Sequence, residues 1–183
     1  MRLVSTAVPA LALTLASGGA WAARCTAIDA KIATTLSPCS AHNPSPTVGL
    51  CTTGAVDSGP LAGTTSFAAA TFTPTQVETV FHYTGNLIIW TRAGTLTIRD
   101  RGVLDMGKGA YFEFQNVVAG TGAFAGAKGM LTSQGQFSGA SFSGSITGKV
   151  CRPGRHHDHP GRRHDDDGDD ENDSAGVEDS AAE

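Results

Sequence analysis

Charge is scarce in this 183-residue chain: only 16 % of its residues are charged, with 13 Lys+Arg against 17 Asp+Glu and a net charge of −4. The missing basic excess argues against nucleic acid as a partner, since that needs a cationic face. The four cysteines include no C-x-x-C pair, so their spacing is not that of a zinc site. No window carries a helical apolar stripe, and a coiled coil is excluded by the Gly, Ser and Thr content together with the low charge. No G-x-S-x-G elbow is present to seat a catalytic serine. The glycine-rich run from Gly120 to Gly129 lacks the closing Gly-Lys-Ser/Thr of a phosphate loop, and no helix is expected after it. No cofactor is expected. After the first two dozen residues no apolar run reaches the roughly 20 residues that span a bilayer, so the mature chain is expected to be off the membrane.

What is present divides the chain in three. Met1-Arg2 opens a short basic start, Leu3 to Ala16 is mainly apolar, and Ala20-Trp21-Ala22 fits the small-x-small pattern of a secretory cleavage site. Residues 1–22 therefore read as a signal peptide cut after Ala22, and the product is expected to be secreted or periplasmic. Residues 23–151 form the candidate domain; from 24 to 151 they carry 8 basic and 6 acidic side chains. Residues 152–183 carry 4 basic and 11 acidic side chains with no apolar periodicity, the composition of a disordered acidic tail. His156, His157, His159 and His164 lie there, a weak potential metal-binding set beside the plainer reading of a solvated tail.

Export changes the reading of the cysteines. An even number in an oxidising compartment suggests two disulfides, and four cysteines allow three pairings. Cys39–Cys51, closing a Pro-rich loop, with Cys25–Cys151, tying the domain ends, is the favoured set; a pair left reduced is the alternative.

The middle of the chain runs with period two. Tyr83, Gly85, Leu87 and Ile89 share a face, as do Leu96, Ile98, Gly102 and Leu104, then Phe112, Phe114, Asn116 and Val118, then Phe142, Gly144, Ile146, Gly148 and Val150. Successive short runs of this kind predict antiparallel strands with one dry face. The segment Ala27–Thr35 reads equally as a strand or as one or two helical turns. Sixteen of 23 glycines lie between residues 52 and 150, which suits tight strand curvature. Together with the meandering hairpins this favours a closed barrel over a two-sheet sandwich.

The segment VVAGTGAFAGAKGML, residues 117–131, resembles the GGTG-x-F-x-x-A-x-G signature of dirigent proteins and allene oxide cyclases, with Ala119 in place of the first glycine. SGPLAGTTSFAAATFTP, YTGNLIIWTRAGTLTIRDRGVLD and FSGSITGKVC resemble exported bacterial proteins described as allene oxide cyclase barrel-like, so the resemblance covers roughly residues 50–151. It implies an all-β, antiparallel, about eight-stranded calycin-like barrel, with Phe124 plugging one end. It carries over no catalytic residue, because no specific acid or cysteine of those enzymes aligns.

Candidate site residues follow from parity. Asp100 lies on the face of Leu96 and Ile98 and would point inward on a regular strand; the favoured reading is a β-bulge that turns it out toward a surface arginine. Asn116, on the parity of Phe112 and Phe114, and Tyr83 complete a proposed polar set in a barrel cavity. His82 has the opposite parity to Tyr83 and is expected outside. Trp90, Tyr83 and Tyr111 read first as ordinary strand residues. Three function classes follow: a non-catalytic barrel holding a small apolar molecule, a filled structural barrel, and an isomerase or cyclase acting on a small hydrophobic substrate.

Overall fold

A computed structural model describes residues 24–39 and 43–153; the expected signal peptide, His42 and residues 154–183 of the expected tail, its four histidines included, lie outside the described residues, while Arg152, assigned to the tail from composition, is the last residue of the final strand. Eight antiparallel strands follow one another around a closed barrel: β1 (Arg24–Leu36), β2 (Cys51–Val56), β3 (Gly63–Pro74), β4 (Val80–Thr91), β5 (Gly94–Asp105), β6 (Ala110–Gly120), β7 (Lys128–Ser138) and β8 (Ser141–Arg152). Each strand pairs with its sequence neighbours, and β8 returns to β1 along the ladder from Arg24↔Arg152 to Thr35↔Ser141. The open Ala27–Thr35 question resolves as strand: Ile28, Ala30 and Ile32 are buried and alternate with exposed residues. Sheet closure pairs the strand edges that an open sandwich would leave exposed.

Both favoured disulfides are present, Cys25–Cys151 and Cys39–Cys51. The first joins residues that face each other across the β1–β8 ladder, and so staples the seam that closes the barrel. Two disulfides in one small domain fit an oxidising compartment.

β2 is half the length of β1 and pairs only with the stretch Ile32–Leu36. Where β2 ends, Asp57 takes over part of its role. Its backbone N–H donates to Lys31 O at 3.1 Å and its Oδ1 accepts from Lys31 N at 3.0 Å. The Ser58 hydroxyl and that Lys31 N–H, both donating to the carboxylate, hold Asp57 below the usual carboxylate range. A 3₁₀ turn, Gly59–Leu61, then brings Leu61 into the core with no exposed surface.

The two barrel ends differ. At the Cys25–Cys151 end, Leu61 and Phe124 close the interior, the latter from a second 3₁₀ turn, Gly122–Phe124. Gly122 and Gly126, at φ +57° and +70°, let the chain fold in and out around Phe124, the plug expected from the glycine-rich segment. Above it Ile89, Leu96 and Ile98 are wholly buried. Each such side chain contributes about 1.5–3 kcal/mol by leaving water. The opposite end, beside the Cys39–Cys51 loop, leads to the cavity described next.

Candidate functional site

Two adjacent rows of inward-facing residues build the floor of the cavity. In one row the register runs Tyr83, Gly102, Glu113, Ser133, Ile146 across β4 to β8; in the next it runs Gly85, Asp100, Gln115, Leu131, Gly148. Asp100, on β5, is 1 % exposed, and Gln115, on β6, is fully buried. The β4–β5 ladder is unbroken from Val80↔Asp105 to Thr91↔Gly94, so β5 keeps its alternation and Asp100 points inward. The only β5–β6 irregularity puts the extra residue on β6, at Val118. The favoured reading of a bulge that turns Asp100 outward is therefore corrected.

Tyr83 is inside, as parity predicted, and its hydroxyl donates to Glu113 Oε1 at 2.6 Å. Gln115 Nε2 donates to Glu113 Oε2 at 3.1 Å. Gly102 makes the first contact possible: a Cβ built there would overlap the Tyr83 ring. Gly144 stands in the same relation to the Tyr111 hydroxyl. Glycines on the inner wall thus seat aromatic rings, a purpose beyond the curvature that their number suggested.

Asn116 is corrected. It is exposed on the outer wall, in register with Arg99 on β5 and Met130 on β7. The cause is the β5–β6 hairpin. Its turn, with Gly109 at φ +62°, sets Asp105 opposite Ala110 and Leu104 opposite Tyr111. Directly paired residues share a face, so the inward side of β6 is Tyr111, Glu113, Gln115 and Val117. Phe112, Phe114 and Asn116 point outward, Phe114 with 57 % of its surface exposed. Parity from apolar content therefore missed Glu113, Gln115, Tyr111 and Ser133. The signal that finds them is the hairpin register rather than hydrophobicity. His82 is exposed on the outer wall, as expected.

The cavity occupies about 60 Å³. An enclosed water needs about 10–15 Å³ on this scale, so the space holds about four to six small groups. Asp100, Glu113 and Ser133 form its polar side, and Phe67, Phe72, Leu87, Leu104 and Phe142 are among its apolar walls. Glu113 retains some accessible surface as part of that wall. Three buried atoms near the floor, Asp100 Oδ1, Gln115 Oε1 and Ser133 Oγ, have no hydrogen-bond partner in the protein. Unmade hydrogen bonds of this kind are uncommon in native interiors and call for an account.

The electrostatics follow from burial. Loss of water pushes the Asp100 carboxyl well above the ordinary carboxylate range, and the Glu113 charge beside it pushes the same way. Burial raises Glu113 too, against the hydrogen bond from Tyr83 that favours its charged form. Tyr83 and Tyr111 are both pushed up by burial and keep their protons. Of the two, Glu113, with a donor on each oxygen, is the better placed to carry a charge, and Asp100 to hold a proton. The site can therefore offer an acid and a carboxylate side by side in an apolar setting. Among the described residues no group of three or more His, Cys, Asp or Glu comes together as metal ligands would.

No protein-family profile matches this chain, and comparisons with the curated proteins and with the solved structures gave no match either.

Proposed function

We propose that this protein is an exported barrel that holds a small, mostly apolar molecule in its cavity, with the polar part of that molecule at Asp100 and Glu113. The observation that carries this reading is the cavity itself: apolar and aromatic walls over a floor with unpartnered polar atoms. That combination suits a ligand site, where a few polar groups orient a largely apolar molecule. A wholly filled structural barrel gives no reason to bury Asp100 with one carboxylate oxygen unpartnered, since an apolar residue of similar size would fit at lower cost. The signal-like pattern of residues 1–22 and the two disulfides support export to the periplasm or the outside. The resemblance of residues 50–151 to allene oxide cyclase-like and dirigent-like barrels supports the same picture of a barrel working through its interior.

The test is an NMR titration of the mature protein with toluene, a neutral ring that would enter from the mouth beside Phe142 with part of its body outside the 60 Å³ space. Shifts should be confined to the amides around Tyr83, Leu104 and Phe142, and the melting temperature should rise with toluene concentration. Shifts confined to the outer wall around Phe114 and Met130, or no shifts at all, would count against the reading.

A second reading, an isomerase or cyclase for a small hydrophobic substrate, is favoured by one specific observation. A protonated Asp100 beside the ionised Glu113 is the acid–base arrangement such a reaction uses, because a carboxyl kept neutral by burial can donate a proton at neutral pH. An Asp100→Asn variant separates the two: a binding protein keeps its affinity within a few-fold, while an enzyme keeps binding and loses turnover.

A further inference from the structure

The polar side of the cavity is acidic, with Asp100 and Glu113 both in its lining. Both oxygens of Glu113 accept bonds, from Tyr83 and from Gln115, yet both donors are neutral. Asp100 lines the same cavity and leaves a buried carboxylate oxygen without a partner, while the Ser133 hydroxyl there can donate as well as accept. No Lys, Arg or His is among the residues that line it. Two carboxyl groups lining one dry site disfavour a second negative charge, so the pair carries at most one. That charge has no cation to meet it, and an isolated buried charge is costly unless it is paired. The walls add a second preference. The rings of Phe67, Phe72, Tyr83, Tyr111 and Phe142 all border the space, and ring faces attract cations. An anion would meet repulsion from Glu113, and a neutral molecule would gain only the apolar contact.

We propose that the ligand of this cavity is a small hydrophobic amine, bound as its ammonium ion, with the charged nitrogen on the Asp100–Glu113 pair and the apolar body against the aromatic walls. This rests on the reading that the cavity binds a small molecule, and it names the chemistry of that molecule. The ammonium supplies the positive charge that the lining lacks, together with N–H donors for the free Asp100 oxygen. The volume of about 60 Å³ limits the enclosed part to a few heavy atoms, so a larger amine would have to extend through the mouth beside Phe142.

Benzylamine, benzyl alcohol, toluene and benzoate share one ring and differ in the group that would reach the floor. Titrations at pH 7, followed by calorimetry and by NMR shifts of Tyr83 and Phe142, should rank benzylamine at least about tenfold tighter than benzyl alcohol, as a charged hydrogen bond in a dry site allows, with benzoate weakest. Glu113→Gln should abolish the amine preference and leave benzyl alcohol within about threefold. Melting curves establish that the variant is folded.

The pH series in the unaltered protein gives an independent measure that needs no variant. The titratable groups facing the site are Asp100 from β5, Glu113 and Tyr111 from β6, and Tyr83 from β4. The two phenols stay neutral throughout, so acid acts on the carboxyl pair alone. Protonation of the pair should reduce the benzylamine preference while toluene binding stays level. If benzyl alcohol matches benzylamine, or the preference survives both Glu113→Gln and acid, the amine assignment is wrong and the cavity reading stands. If none of the four probes moves the cavity signals, the cavity reading falls and the amine assignment falls with it.

Discussion

Replacing Asp100 with asparagine keeps the shape of the side chain and removes its charge, so it isolates the cost of holding a carboxyl where water cannot reach it. The ordinary pKa is 3.8 and the folded state raises it well above that. Between those two values the folded protein keeps a proton that the unfolded chain has released. Stability then falls as pH rises, by about 1.4 kcal/mol per pH unit. The favourable condition lies below pH 3.8, and the loss is complete once the pH passes the folded pKa. Since pH 7 lies 3.2 units above 3.8, the penalty at neutrality is capped at about 4 kcal/mol. Asparagine removes that penalty, and its amide can donate to Gln115 Oε1, now without a partner. The expected result at pH 7 is a gain of at least about 1 kcal/mol, or about 3–5 °C in melting temperature for a domain of this size. The gain should shrink toward zero near pH 4. Paired urea melts of the two proteins from pH 4 to pH 8 measure it, and their difference cancels the titration of every shared group except Glu113, whose titration is linked to that of Asp100. A loss of stability at pH 7 that persists unchanged at pH 4 would refute the reasoning, as would an Asp100 carboxyl found by NMR to titrate at or below 3.8.

Gly102→Ala should cost about 3–5 kcal/mol, because the new Cβ overlaps the Tyr83 ring and must also break the 2.6 Å bond to Glu113; a urea midpoint within error of the parent would show that the ring is not seated there. Replacing Cys25 and Cys151 together with alanine opens a loop of 126 residues, for which chain entropy gives roughly 5 kcal/mol, with measured losses for native disulfides usually about 2–5 kcal/mol. A change under about 1 kcal/mol in equilibrium unfolding would mean that the β1–β8 ladder closes the barrel unaided.

Much of the architecture could be read from the chain because most strands put their apolar face inward. On β4, β5 and β8 the alternation of Tyr83 with Leu87, of Leu96 with Ile98 and of Phe142 with Ile146 matches the buried face. The disulfides were legible for a different reason: one pair brackets a proline-rich loop and the other brackets the whole domain. β1 was ambiguous because alanine, threonine and lysine fill it, and its burial depends on β8, which arrives more than a hundred residues later. The site was half legible. Asp100 and Tyr83 stand on strands whose remaining inward residues are apolar or glycine, so parity put both on the inner wall, although for Asp100 the sequence reading gave more weight to an outward bulge. Glu113 stands on a strand whose inward face is mostly polar, and there hydrophobicity points the wrong way.

β6 is where the local pattern and the fold disagree most, and the disagreement falls on the site. A shift of one residue in its register would turn Phe112 and Phe114 inward and Glu113 outward, since side chains alternate with period two. On burial alone that arrangement is preferred: each phenylalanine taken from water contributes about 1.5–3 kcal/mol, and Glu113 would no longer have to be desolvated. The structure instead leaves Phe114 57 % exposed and Met130, near it on β7, 65 % exposed. Two features hold the register against this bias. The turn ending at Gly109 fixes Leu104 opposite Tyr111, and the Val118 bulge realigns the far end so that Gly120 meets Leu96 beside the Phe124 plug. Each is specified by residues that a simple alternating strand does not need. A sequence that departs from the stable pattern on one strand, and fixes the departure at both ends, is constrained there by something other than stability. Departures of that kind are expected at functional positions, and the side chains this one turns inward are Tyr111, Glu113 and Gln115.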